Sequence, residues 1–304
     1  MQRPASLPES PALDRITATV GLLERRGFAA SPERLGGNCL GGPVDLAGVL
    51  AAVAAGGGLV VEQDLVLSPT ARPRAAAIRS RAHGHPLAAA AYLPSTLRFI
   101  RLLGRLPFIL SVAVAGSMAT GGFAPADDVD LNLIVEDGRR HQAYVALNVL
   151  GFIHALSHRG KPVDALSRRP LAPRLMTANL ILERSECFPF VRQDADMAFE
   201  LLIAEPVLGA DLYLEVLAAN PGLSAHFPQL ASKSAPLAQA GGWALPGRLF
   251  PAWTEGAARS LGHAAWRYMQ WTRRHQPDAL ARVAFVRQTM EPYTLFSEPQ
   301  GGSR

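Results

Sequence analysis

The sequence predicts an α+β protein: a small helical module with a hairpin, then a sheet with packed helices, then C-terminal helices. Three observations carry that reading. Hydrophobic residues make up 49% and charged residues 18% of the 304 positions, which gives ample core and excludes a disordered chain. Residues 108–115 form a nearly continuous apolar run and residues 129–135 alternate strictly, so both read as strands. Helical periods lie before and after them. At roughly 150 residues per domain the chain holds about two domains. The expected organisation is a helical module at 12–70, arginine-rich connecting helices at 71–105, the sheet domain at 106–224, a C-terminal helical region at 225–296 and a disordered tail at 297–304.

Residues 12–26 read as a helix with Ile16, Val20, Leu22 and Leu23 near one face. Ser31 caps a second helix with Pro32 in its first turn. Asp45 caps a third through Leu46, Val49, Leu50 and Val53, which Gly56, Gly57 and Gly58 end. Residues 59–61 and 64–67 then form a short hairpin. Three helices and a hairpin are the outline of a winged helix-turn-helix. No lysine or arginine lies between Arg34 and Arg72, and the third helix offers a groove only Asp45, alanines and glycines. That argues against specific duplex DNA binding, which needs cations for phosphates and long donors for base edges.

Residues 73–105 read as helical with interruptions near Pro86 and Pro94, and Pro107 breaks the pattern. The helix after the second strand is apolar nearly all round from Tyr144 to Leu156, so it should pack deeply. Residues 255–268 and 278–286 resume helical patterns.

The net charge is +5, with lysine only at Lys161 and Lys233. Between Asp64 and Asp127 there is no acid, while Arg72, Arg74, Arg79, Arg81, Arg98, Arg101 and Arg105 fall in that interval. Such a stretch either attracts anions or is a solvated helix face. Two cysteines, Cys39 and Cys187, are too few for a disulfide framework, and Cys187 reads as a buried spectator. The first 30 residues lack a basic start with an apolar run, and no stretch reaches the roughly 18 apolar residues of a membrane span. A cytoplasmic protein without a membrane partner is expected.

The segment that carries chemistry runs from the buried strand through Gly116 and Ser117 to the alternating strand. There Val129, Leu131, Leu133 and Val135 form one face, and Asp128, Asp130, Asn132 and Ile134 the other. Asp127 precedes the strand and is expected to face solvent. Two carboxylates about 6–7 Å apart on one face repel each other, and a divalent cation removes that repulsion. Magnesium takes hard oxygen ligands and keeps positions for substrate phosphate. Gly116 permits close approach of a backbone to phosphate, and Ser117 adds a hydroxyl and an N–H.

Gly-Ser, ten residues, then Asp-Val-Asp on Ala115, Gly116, Ser117, Asp128, Val129 and Asp130 resembles the DNA polymerase beta-type nucleotidyltransferase superfamily. The closer resemblance is to bacterial nucleotidyltransferase-domain proteins with a winged-helix-like N-terminal module. It implies a nucleotidyltransferase-fold mixed sheet, a strand at 177–183, and a helical stretch at 197–219 that Pro206 should interrupt. It also implies transfer of a nucleoside monophosphate from a nucleoside triphosphate to an acceptor hydroxyl, with pyrophosphate released. Asp128 and Asp130 would be catalytic and hold magnesium or manganese. Gly116 and Ser117 would contact the triphosphate. Separately from the resemblance, Gly138, Arg139, Arg140 and His141 open the next helix with basic residues against its macrodipole, which an anion would relieve, so Arg139 is either a further triphosphate contact or solvent-exposed. The acceptor would be a small molecule, a protein side chain or an RNA end. The superfamily's third carboxylate falls first on Glu183, second on Asp164, or is absent. Asn179 stands where that acid would sit and is itself a candidate ligand. Loss of the third acid would leave the alternative, an inactive nucleotidyltransferase-fold binding or adaptor protein.

Overall fold

The structure is a computed structural model describing residues 11–56, 58–158, 160, 176–275 and 277–296. The tail at 297–304, Gly57 and Asp164 lie outside the described residues. The chain is mixed α+β. Its first part comprises α1 (Ala12–Arg25), α2 (Pro32–Gly37), α3 (Leu46–Ala54) and a hairpin of β1 (Val60–Glu62) and β2 (Leu65–Leu67). The expected caps are present. The Ser31 side chain accepts from Arg34 N at 3.4 Å and Asp45 Oδ1 accepts from Gly48 N at 2.8 Å. Ala30, between α1 and α2, bridges Val66 as a further antiparallel partner of the hairpin.

A 3-10 turn, Pro69–Arg74, leads into α4 (Ala75–Leu103), which runs unbroken through Pro86 and Pro94. The expected interruptions are therefore absent. Each proline removes one backbone bond, but both are exposed, so the freed carbonyl side can be solvated. The arginine interval is also less one-signed in space than in sequence. Arg72 pairs with Glu62, Arg79 with Asp64 and Arg81 with Asp127, so both acids that bound the interval fold back onto it.

The central sheet contains β3 (Ile109–Ala115), β4 (Val129–Val135), β5 (Met176–Glu183) and β6 (Glu205–Leu208), in the order β5-β4-β3-β6. β4 is antiparallel to β3 and parallel to β5, and β6 pairs antiparallel with β3. A five-residue helix, α5 (Gly116–Thr120), begins the β3–β4 connection, and α6 (Arg140–Leu156) follows β4. Pro206 does more than interrupt a helix. It stands in edge strand β6, between α7 (Ala195–Ile203) and α8 (Ala210–Ala219), where a missing N–H is tolerated. α9 (Pro221–His226), α10 (Thr254–Arg273) and α11 (Pro277–Met290) complete the chain.

The two sheet faces have separate cores. Val112, Val114, Val129, Leu131, Leu133 and Val135 pack with Phe99, Leu103 and Leu147 from α4 and α6. Ala113, Ala115 and Ile134 share a second core with Ile16, Leu35, Val49, Phe199 and Phe227. The N-terminal helices and α7 thus cover the face that carries Asp130. Contrary to expectation, α6 is not buried all round. Val149, Phe152 and Ile153 remain about half exposed because β5, α4 and α10 pack against its other sides. No described helix is long and apolar enough to cross a membrane.

Candidate active site at the Gly116 turn

The β3–β4 register places Ala115 opposite Asp130, so the chain leaves β3 directly beside the second aspartate. Gly116 has φ +59°, and a Cβ built on it would stand 2.0 Å from Asp130 Oδ2. Only glycine fits there, for both conformation and space. Gly116 thus makes room for the Asp130 carboxylate itself, a more specific reason than general access for phosphate. The other carboxylate oxygen, Oδ1, accepts a 2.7 Å bond from the Thr177 hydroxyl, since β5 aligns Thr177 with Asp130. Asp130, within central strand β4, and Asp128, immediately before its first residue, are both half-buried. Ser117 is buried at the start of α5, and its carbonyl accepts from Gly122 N at 3.0 Å.

The loop from α5 to β4 is held from two sides. From α4, Arg81 pairs with Asp127, the His85 imidazole accepts from Phe123 N at 3.2 Å, and the Tyr92 hydroxyl donates to Pro125 O at 3.3 Å. Asp127 also accepts from Ala124 N at 3.1 Å, so it shapes the loop where solvent exposure was expected. From the N-terminal module, Phe28 packs against Gly122, and the Arg34 guanidinium lies over Gly121.

Beneath Asp130 on the same face lies a buried polar cluster. Asn132 Nδ2 donates to Glu200 Oε1 at 3.1 Å, and Asn179 Nδ2 reaches both Glu200 Oε1 at 2.7 Å and Asn132 Oδ1 at 2.9 Å. Glu200, on α7, is only 5% exposed. Burial pushes its carboxyl pKa up and the charge of Asp130 adds to the rise, while the two amides and Arg26 oppose it. Sequence reading missed this acid. Its signal was a carboxylate set between Phe199 and Leu201 in the apolar second half of a helix whose other acid, Asp196, sits in the first turn.

Other candidates are placed elsewhere. Glu183 pairs with Val135 at the far end of β4, about 17 Å from Asp130 at ~3.3 Å per residue. It caps the 3-10 turn Arg184–Cys187 in a reciprocal arrangement with Glu186. Glu183 is therefore not brought to the aspartate pair. Arg139 is at that same far end, donating to Gln142 Oε1 at 2.9 Å and to Phe250 O at 2.7 Å, and does not approach Gly116. The anion that its basic helix start calls for is Glu255 of α10, which accepts from His141 N and Gln142 N at 2.7 and 2.9 Å. Asn179 is beside the site, but its amide serves Glu200 and Asn132. Cys187 is fully buried and its pKa is pushed up to about 12, first by burial, as suits a spectator thiol.

The donors placed at the Gly116 turn are the Asp130 carboxylate and the Thr177 hydroxyl bonded to it, with the Asp128 carboxylate two positions earlier in the chain. Among the described residues, no group of three or more His, Cys, Asp or Glu side chains could hold a metal ion. The set fits a magnesium or manganese ion that takes the rest of its shell from water and phosphate oxygens. It does not fit a closed zinc-type site. No family model, curated protein or solved structure matches this chain.

Proposed function

We propose that the protein is a metal-dependent nucleotidyltransferase that uses the Gly116 turn and the Asp128–Asp130 pair. The observation that carries the reading is the packing of the Asp130 carboxylate against a positive-φ glycine that leads straight out of a buried strand. The resemblance to the polymerase beta-type superfamily rests on this same motif. The antiparallel β3–β4 pair with parallel β5 supports it further, and the N-terminal helices with their hairpin support a winged-helix reading of the module.

In the reaction, an acceptor hydroxyl oxygen bonds to the α-phosphorus of a nucleoside triphosphate. The bond from that phosphorus to the bridging oxygen of the β-phosphate breaks, and pyrophosphate leaves with the electron pair. The acceptor proton passes to a carboxylate of the pair. A bound divalent cation supplies charge neutralisation for the phosphates. Thr177 holds Asp130 through its hydroxyl, and Gly116 fixes the carboxylate against the turn. Calorimetry with ATP and magnesium should show binding that Asp128→Ala with Asp130→Ala weakens about tenfold or more. Unchanged binding in the double variant would refute the site.

One observation favours a second reading, an inactive binding or adaptor protein of this fold. The described carboxylates outside the pair do not complete it, since Glu183 is at the wrong end and Glu200 is engaged by two amides. Triphosphate binding with no pyrophosphate release across a panel of acceptors would select that reading.

A further inference from the structure

Arg34 is the last side chain of basic character before the long stretch that lacks any, and it belongs to α2 of the N-terminal module. Its guanidinium covers Gly121, with Nη1 2.1 Å from where a Cβ would stand and Nη2 at 2.9 Å. Gly121 has φ +85°, so the glycine admits both the turn and the guanidinium. Among the described residues no hydrogen bond or ion pair engages that guanidinium. The residue is exposed as a whole, yet desolvation at its charged end lowers the pKa. His85 meets the same loop two residues beyond Gly121, at Phe123. Its Nδ1 accepts from Phe123 N, so the neutral ring carries its proton on Nε2 and offers it as a donor. Burial first, and the Arg34 charge second, lower the His85 pKa, which keeps the ring neutral. The neighbouring acid, Asp127, is already matched by Arg81.

We propose that Arg34 and His85 form an anion subsite for the phosphate oxygens of the triphosphate, so that the N-terminal module and α4 complete the active site from outside the sheet. This inference rests on the nucleotidyltransferase reading for its substrate, but not for the anion site itself. A partly desolvated cation beside a second donor is relieved by an acceptor of negative charge, and a guanidinium matches phosphate with two parallel bonds. The position suits the substrate. Gly121 ends the short helix that Gly116 begins, about 7.5 Å away at ~1.5 Å per residue, so a polyphosphate lying along α5 would span from the aspartate pair to the guanidinium. The basic helix start at Arg139, by contrast, is already served by Glu255 and Phe250.

The test is metal-free calorimetry of the full chain with inorganic triphosphate. Wild type should bind, R34Q should bind about tenfold more weakly, H85A several-fold more weakly, and R34K should recover part of the loss. R248Q, an exposed cation in the C-terminal region, should match wild type. Independently of any variant's folding, triphosphate should protect Arg34 of wild type from phenylglyoxal, read by peptide mass spectrometry. Equal binding by wild type and R34Q, no binding by wild type, or no protection of Arg34 overturns the proposal. If Arg34 dependence holds while Asp128→Ala with Asp130→Ala leaves magnesium-dependent ATP binding unchanged, the anion site stands and nucleotidyl transfer falls.

Discussion

At the N-terminal end of β4, Asp130 stands beside the Gly116 turn with Asp128 two positions before it, and Arg34 is laid over Gly121. At its C-terminal end, Val135 leads to Gly138 and then to Arg139, Arg140 and His141, with Glu183 and Glu186 alongside. Both ends hold a positive-φ glycine, acids and arginines. At the second end these groups hold elements together. Arg140 pairs with Glu186, His141 with Glu255, Arg139 binds a carbonyl, and Glu183 caps a turn. At the first end Asp128 and Asp130 lie two positions apart, Asp130 above a third, buried acid, and among the described residues no ion pair engages the Arg34 guanidinium. Composition alone does not separate a structural end from a chemical one. The partner of each charge does.

The sharpest way to break this comparison is to substitute the two glycines. Gly116→Ala puts a Cβ at the Asp130 carboxylate and should cost about 3 kcal/mol or more, from the clash added to left-handed strain. Gly138, with φ +70° and nothing within 4 Å, should cost only about 1 kcal/mol as alanine. Urea denaturation of both variants checks the contrast, and equal losses would remove the special status of the first turn.

Next in size is Glu200. Glu200→Ala leaves the Asn132 and Asn179 amides without their acceptor and should cost about 2–3 kcal/mol, against a smaller loss for Glu200→Gln. The pH dependence has a fixed sign. Because the folded pKa of Glu200 is raised from its ordinary 4.5, the folded state holds its proton over a window where the unfolded chain has released it. This group therefore favours folding most fully below that ordinary value, and the benefit is lost as pH rises through the raised pKa. Stability measured against pH should fall across that window in wild type relative to Glu200→Gln. A parallel pair of curves would contradict the buried, repelled carboxylate.

Smaller still, Thr177→Val removes the hydroxyl bond to Asp130 and should cost about 1–2 kcal/mol while weakening divalent-cation affinity. The smallest effect is expected at Arg81→Gln, about 1 kcal/mol or less, because the Arg81–Asp127 pair is partly exposed. A large loss there would mean that the loop, rather than the strand pair, holds the site together.

Local pattern made much of this legible. The alternation at 129–135 correctly put Val129, Leu131, Leu133 and Val135 in the core, and the apolar runs marked β4 as central. The Ser31 and Asp45 caps lie within three residues of their partners and were readable for that reason. What depended on distance was not. The end of β5 that receives Glu183 is fixed by a parallel register that only the crossover connection sets. Arg34 and Gly121 are far apart in sequence, as are Asn132 and Glu200, so no spacing rule joins them. α4 continues through two prolines because both face solvent, and β6 is a four-residue edge strand hidden in a helical stretch. Periodicity overstated the burial of α6, since it reports apolar character and not which faces find partners.

The most direct measurement is a manganese titration followed by electron paramagnetic resonance, comparing wild type with Asp128→Asn plus Asp130→Asn. The account predicts one bound ion per chain in wild type, tightened by added nucleoside triphosphate, and loss of that site in the double variant. Retention of the same bound manganese signal after both carboxylates are removed would contradict it.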